Sequence, residues 1–449
     1  MRMHRSILLA FLAVAGWLTV FGGLAFAGGK QETSATQAAT NAPVTLTVWV
    51  QADAIRYPGF EKVTKAFEQK YPNINVQLTN VPGSWADEYE KLLTGYVGGV
   101  WPDIVYAKAN TLPTFASKGM LLDLTQYWDK AKTGVLDAGP KLNEIVASLS
   151  SYNGKVYGLP RGQYWFALGY NTQMFKDAGI AGPPKTWAEL QQDGIKLTNH
   201  QAGTWGFDPY TYYRTDSTFV QTRLDMWTAQ AGGSIMTYNG ETPTYHLAGN
   251  EAAKKALQYQ LDNIYKYKDW LDPTLDNAND SAALNLVFNG KIAMWWMHGG
   301  TISRFTAAAP NLPYLTAPLP KEVNNTSYID SQQWMVNGKT KYPQQAWDYI
   351  QYFTSQPGEA MFAPYEGHVS LWQQNWTLPV YVDHPGYKGI MEQYKSPYTI
   401  PYHYHVGWVP VRGAIAREIQ KGLFEKESLD KALSDAQKAA DTALKQAGF

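Results

Sequence analysis

No cysteine occurs among the 449 residues, which excludes disulfide staples and a lipidated N-terminal cysteine. Charge of one sign is lacking as well: 38 Lys and Arg balance 38 Asp and Glu, and charged residues make up only 17% of the chain. Without a basic footprint, nucleic acid is not an expected partner. Three catalytic signatures are missing: a Gly-x-Ser-x-Gly elbow, a His-Glu-x-x-His pair and a phosphate loop. The pair His403-x-His405 has no companions that would complete a metal site, so neither a metal nor a cofactor is expected.

Apolar residues, by contrast, are plentiful at 45%. A chain of this length exceeds one ordinary core, so two or more lobes are expected. Aromatic residues reach 14%, with 17 Trp and 30 Tyr. That surplus suggests rings that face a ligand, the alternative being rings that only fill the lobe interiors. Arg2, His4 and Arg5 precede an apolar run from Ile7 to Phe26 that ends in Ala25-Phe26-Ala27. This reads as a signal peptide over 1–27, cleaved near Ala27, with an uncleaved anchor as the alternative. Residues 28–43, rich in Thr, Ala, Gln and Ser, read as a flexible leader. An exported chain with no lipid anchor is retained only behind an outer barrier, so a periplasmic location is expected.

Strands alternate with helices from Val44 onward. Val44, Leu46, Val48 and Val50 mark a first strand, and Phe60, Val63 and Phe67 a helix face ended by Tyr71-Pro72. Ile74, Val76 and Leu78 mark a second strand, Ser84 and Asp87 a capping box, and Ile104-Val105-Tyr106 a third strand. This order predicts a largely parallel sheet whose ligands sit beyond the strands' carboxyl ends. Asn153 to Asn171, with Gly154, Gly158, Gly162 and Pro160 ahead of Tyr164, Trp165 and Phe166, reads as a hinge strand between lobes. Helices are expected after Pro183-Pro184, with a Thr186-x-x-Glu189 capping box, and over Leu224–Ala231, Ala252–Tyr265, Ala346–Ser355 and Glu427–Gln446. Phe288 to Gly300 reads as a turn, a strand and a glycine pair.

The order of motifs resembles the bacterial extracellular solute-binding proteins of the sugar-binding group. The motifs are Trp101-Pro-Asp-Ile-Val105, Gly119-Met-Leu-Leu-Asp-Leu124, Tyr157-Gly-Leu-Pro160 with Tyr170-Asn171, and Pro184-Lys-Thr-Trp-Ala-Glu-Leu190. Phe288-Asn-Gly-Lys-Ile-Ala-Met294, Ala317-Pro-Leu-Pro320, Ala346 to Ser355 and Leu429 to Gln437 complete the series. The resemblance implies an α/β, two-lobed periplasmic-binding-protein fold with a central sheet in each lobe and a hinge of several segments. It also implies a carbohydrate ligand in the cleft and a membrane permease of an ABC transporter as partner. The expected lobes are 44–158 with 321–360, and 159–320 with 361–449. A receptor that opens, closes and docks is expected to be monomeric.

Carried over position by position, the resemblance points to Asp53 and Arg56 after the first strand, with a surface ion pair as their alternative. Lys108 and Asn110 follow the third strand, where Ala107 replaces a family aromatic. Tyr164 and Trp165 match a hinge-edge contact region. Trp295, Trp296 and His298 lie near a second-lobe aromatic, and Trp408 and Arg412 precede the final helices. Trp295 and Trp296 face opposite ways on a strand, so at least one belongs to a core. Arg161 suits either a sugar carboxylate or a tie between lobes, and Asp330 on the return crossing either ligand or linkage. The rival readings are an exported glycosidase or lyase, which needs paired carboxylates, and a peptide or polyamine receptor on the same scaffold.

Overall fold

The first strand, β1 (Val44–Val50), alternates buried and exposed residues along its length. β1 pairs in parallel with β2 (Ile74–Asn80), from Val44 opposite Ile74 to Val50 opposite Asn80, and with β3 (Ile104–Lys108). The first two are joined by α1 (Tyr57–Lys70), whose buried face carries Phe60, Val63 and Phe67 as the apolar spacing predicts. Proline in its first turn removes no intrahelical hydrogen bond. The helix α2 (Trp85–Val97) follows β2. In this computed structural model the described residues are 43–449, less 82–84, 135, 209–216, 272–279 and 425. The expected signal peptide, all of the leader but Pro43, and Ser84 of the expected capping box lie outside the described residues.

The chain then enters β4 (Gly158–Tyr164) and, after the single residue Trp165, β5 (Phe166–Asn171). These consecutive strands belong to different sheets. α3 (Trp187–Leu197) follows, and its cap Thr186 accepts a hydrogen bond from the Glu189 amide at 3.1 Å. β6 (Trp205–Asp208), β7 (Ile292–His298) and β8 (Tyr314–Ala317) join β5 in the second sheet, in the order β8-β5-β7-β6, and α4 (Gly299–Ala308) lies between β7 and β8 in the chain. β9 (Ser327–Val336) returns to the first sheet, where it lies antiparallel to both β3 and β4. α5 (Pro343–Thr354) and α6 (Gln356–Phe362) pack on the first lobe. β10 (Thr399–Pro401) adds to β9, and α8 (Trp408–Leu423) and α9 (Leu429–Ala447) end the chain after the short α7 (Lys388–Tyr394).

The result is two α/β lobes with a sheet in each and a hinge of several crossings, as the motif order implied. In two places the strand pairing departs from the expected lobe division. Residues 159–164 stay with the first sheet because they pair with the edge of β9 opposite β3, and 399–401 return to it by pairing with Ser327–Ile329, which β3 does not cover.

The aromatic surplus mostly goes inside. Phe60 meets the rings of Tyr106, Trp334, Phe353 and Phe362 at centroid distances of 4.7–5.8 Å. In the second lobe Trp227 collects Trp187, Phe207, Trp270 and Trp296. The ring-filled lobe interior, set out above as the alternative, describes most of these tryptophans. Packing this tight also dictates glycine opposite indole: a Cβ on Gly169 would stand 2.6 Å from the Trp295 ring. Gly169→Ala is therefore expected to destabilise the protein by about 1–3 kcal/mol through overpacking, read as a lower urea midpoint at unchanged slope.

Candidate functional site

Strand alternation divides the hinge strand between two duties. Tyr164 ends β4 with its ring toward the space between the sheets, and Trp165, one residue on, turns into the second lobe. The Tyr164 hydroxyl donates to Asp330 Oδ2 at 2.5 Å. Its ring lies between those of His368 and His298, at 4.7 and 5.0 Å. Gly162, at φ +61°, lets β4 bulge beneath His368, whose Cβ would be 2.9 Å from an added Cβ. The bulge is held from below: Gly162 N donates to Glu359 Oε1 at 2.9 Å, and Gln163 and Val369 exchange backbone hydrogen bonds of 2.8 and 2.9 Å. A third crossing, 366–371, thus docks on the first.

Around Tyr164 lies a polar cavity of about 110 Å³, walled by Asp53, Arg56, Lys108 and Gln332 from the first-sheet side and by Gln221, His298, Thr301 and Arg304 from the other, with Glu366 and His368 from the third crossing. This is below the roughly 300–1,000 Å³ of a small-molecule pocket, so the cavity is a narrow one. A larger groove of about 670 Å³ runs along β8, but it takes no residue from the β1–β3 side. Filling it would not favour closure. A third groove, apolar and about 420 Å³, adjoins the polar cavity across Glu366.

The electrostatics of the cavity follow from its layers. Asp53 caps the loop after β1 by accepting from the amides of Ile55 and Arg56, and meets the Arg56 guanidinium at 3.3 Å and that of Arg304 at 4.0 Å. Burial alone would raise its pKa, but the two guanidinium groups and the Arg56 amide hold it below the ordinary value. Glu366 is salt-bridged to Arg161, lies 3.7 Å from Arg56, and has His368 Nδ1 at 3.3 Å. Desolvation, with Arg304 and Lys108 nearby, pushes His298 down to about 3, and desolvation with Arg161 keeps His368 well below its usual range. Both rings are neutral at pH 7. Among the described residues no protein group bonds the buried His298 Nδ1.

Five of the residues singled out from sequence meet in this wall: Asp53, Arg56, Lys108, Tyr164 and His298. Arg161 and Asp330 stand behind it. Arg161 donates to Tyr106 Oη at 2.9 Å and lies over the Phe362 ring at 4.2 Å, so it ties the crossings together. Asn110 is buried in the turn after β3. Four tryptophans are corrected to core positions. Trp165 is fully buried and donates to the Ile390 carbonyl at 2.7 Å; Trp295 stacks on Phe305; Trp296 packs on Phe207 and Trp227; and Trp408 lies under the Arg412 guanidinium at 4.0 Å. Arg412 is likewise corrected, because it pairs with the buried Asp225 and donates to Tyr245 Oη at 3.1 Å. The glycine pair after β7 opens α4 and serves backbone packing, since a Cβ on Gly299 would lie 2.2 Å from the Gly367 carbonyl oxygen.

Gln221, Thr301, Arg304, Gln332, Glu366 and His368 were not foreseen. For two of them a signal existed: Thr301 and Arg304 share one face of the helix that starts after His298, at i,i+3 spacing. Glu366-Gly-His368 repeats the His-beside-Gly pattern of His298-Gly299, but no periodicity marks it.

Two lobes crossed repeatedly by one chain, with a polar cavity walled from both, form a clamp that holds a solute between its halves. The chain belongs to the bacterial extracellular solute-binding protein family, whose model matches residues 51–360. A Brucella abortus (strain 2308) chain, named as a binding protein, is 26% identical over 410 residues, 87% of this chain and 90% of that one. The diacetylchitobiose binding protein DasA of Streptomyces coelicolor (strain ATCC BAA-471 / A3(2) / M145) is 28% identical, covering 70% of this chain and 69% of its own. Among solved structures, an ABC substrate-binding protein of Listeria monocytogenes in complex with cycloalternan superposes with a TM-score of 0.76 at 20% identity, covering 91% of this chain and 100% of that one. Among the described residues no helix is long and apolar enough to cross a membrane.

One buried acid close to Lys108 sets a pH dependence. Glu88 on α2 is desolvated, and although Lys108 opposes this, its pKa is raised from 4.5 to about 8. The folded state therefore holds the proton more tightly than the unfolded chain. The stability this contributes is complete below pH 4.5 and is lost as pH rises through about 8. Glu88→Gln is expected to flatten that decline, so that the variant gains on the parent between pH 5 and 9 in a series of urea titrations.

Proposed function

We propose that this chain is a periplasmic carbohydrate receptor that closes on a sugar or oligosaccharide and delivers it to the permease of an ABC transporter. The observation that carries this reading is the cavity around Tyr164, whose hydrogen-bonding groups come from both sides of the cleft and so reward closure. Sugar hydroxyls both donate and accept, and the wall offers both: carboxylates and neutral imidazoles beside guanidinium groups, an ammonium and an amide. The diacetylchitobiose-binding relative and the cycloalternan complex support a saccharide over a peptide or polyamine. Asp53, Arg56, Lys108, Tyr164 and His298 are assigned as ligand contacts, joined by Arg304, Gln332 and His368.

A glycosidase reading fares worse on the same geometry. Glycoside cleavage needs one carboxyl group kept protonated at the bond to be cut, yet the two carboxylates that line the cavity are both engaged by arginines, Asp53 by Arg56 and Glu366 by Arg161. The receptor is proposed to act as a monomer, without nucleic acid, after removal of its signal peptide.

A thermal-shift screen of the mature protein against mono- and oligosaccharides, peptides and polyamines tests this. A ligand at about a hundredfold its Kd adds roughly 2.7 kcal/mol of stability. His298→Ala is expected to weaken sugar binding roughly tenfold, measured by calorimetry. Conversion of the sugar to products, in place of reversible protection, would overturn the reading.

A further inference from the structure

The apolar groove beside the polar cavity encloses about 420 Å³, within the roughly 300–1,000 Å³ range of small-molecule pockets. The two spaces are built from the same three segments. In the loop after β1, Asp53 and Arg56 line the cavity and Ile55 the groove. On α4, Thr301 and Arg304 line the cavity, while Ile302 and Thr306, one turn apart, line the groove. On the third crossing His368 belongs to the cavity, Gly367 to the groove and Glu366 to both. Cavity and groove are therefore adjacent stretches of one seam between the lobes.

The groove differs from the cavity in its chemistry. Ile55, Ala363 and Pro364 wall it on the first-sheet side, Ile302 and Ala307 on the second-lobe side, and Val380 completes it. Most of its polar side chains are already bonded within the protein. The Thr306 hydroxyl donates to the Ile302 carbonyl at 3.0 Å and lies 3.0 Å from His384 Nε2, while His384 Nδ1 accepts from the Gly386 amide at 3.1 Å. Tyr387 Oη donates to the Gly367 carbonyl at 3.0 Å, and Glu366 is salt-bridged to Arg161. Ser303 and the exposed Asp383 are the polar side chains that remain for a solute. A sugar ring carries hydroxyls around its edge, and burying them against such walls leaves most of them unpaired. An apolar group forfeits no hydrogen bonds there and gains by leaving water. Because both lobes wall the groove, filling it favours the closed form, which the larger groove along β8 cannot do.

Resting on the receptor reading above, we propose that the solute is a glycoside with an apolar aglycone, its sugar among the polar groups around Tyr164 and its aglycone in the groove between Ile302 and Val380. The sugar then supplies the hydrogen bonds and the aglycone the buried apolar area. Glu366, common to both walls, stands where the two parts join.

Calorimetry on the mature chain with matched series tests this: glucose, galactose and xylose, each as the free sugar and as its methyl, butyl and phenyl glycosides, with cellobiose and maltose alongside. For the sugar that binds, the butyl or phenyl glycoside is expected to bind at least roughly tenfold more tightly than the methyl glycoside, each added methylene contributing about fourfold. The butyl and phenyl arms distinguish an alkyl from an aryl aglycone. Ala307 is exposed on α4, so a polar side chain there leaves the fold intact. Ala307→Glu, which sets a charge on the groove wall, is expected to cut the substituted-over-methyl ratio roughly tenfold, and Ala307→Ser to keep most of it. A series with no gain beyond methyl, a gain unmoved by Ala307→Glu, or a disaccharide bound more tightly than the butyl and phenyl glycosides would overturn the proposal and leave the receptor reading intact. Binding of no sugar, free or substituted, would overturn both.

Discussion

A buried ion pair, Arg161 with Glu366, stands where the chain passes between its lobes, and the site is built over it. Removing both charges from water is expensive, and their attraction compensates only when neighbours complete the hydrogen bonding. Tyr106 Oη accepts from Arg161 at 2.9 Å, Phe362 covers the guanidinium, and Arg56 and His368 approach Glu366. Glu359 adds a second fastening, accepting from Gly162, Ser370 and Leu371. Together they fix β4 to the third crossing, and so fix Tyr164 and His368 in the face-to-face arrangement that lines the cavity. A hinge strand that was slack here could not hold two cavity-lining rings in register.

The same region joins the cavity to the passage between the lobes. Tyr164 belongs to the cavity and Trp165 to the second-lobe core, where its indole is bonded to Ile390. The change of sheet occurs at that one residue, so any rotation of the second lobe pulls on the backbone that positions Tyr164. The second restraint is the bare backbone contact of Gly299 with Gly367. It joins the start of α4, which carries Thr301 and Arg304, to the segment that carries Glu366 and His368. Cavity-lining residues and lobe joints are thus the same few residues.

Much of this was legible in the sequence because it is local. Alternation in Val44–Val50, the helix face of Phe60, Val63 and Phe67, and the cap at Thr186 each follow from short-range periodicity and hydrogen bonding. The glycines and Pro160 marked the hinge strand for the same reason. The site was legible only in part, since β1, β3 and β4 deliver Asp53, Lys108 and Tyr164 at strand ends, where a parallel sheet places its ligands. What failed was the reading of tryptophans. An indole beside Gly looks the same in sequence whether the glycine makes room for a ligand or, as Gly169 does for Trp295, for the indole itself. Glu366 and His368 escaped because their role arises from a crossing just over two hundred residues away from the strand they dock on, and no local pattern encodes that pairing.

The two histidines show how a clamp of this kind separates loaded from empty. Each is neutral because burial and adjacent cations make protonation unfavourable, and a neutral imidazole offers one donor and one acceptor. His298 Nδ1 finds no bonding partner among the described protein groups, and enclosing such an atom costs about 1–3 kcal/mol if nothing bonds to it. Closure on a hydroxyl-bearing solute removes that penalty; closure on an apolar one does not. The discrimination therefore lies less in how many contacts a solute makes than in which buried polar atoms it leaves unmet.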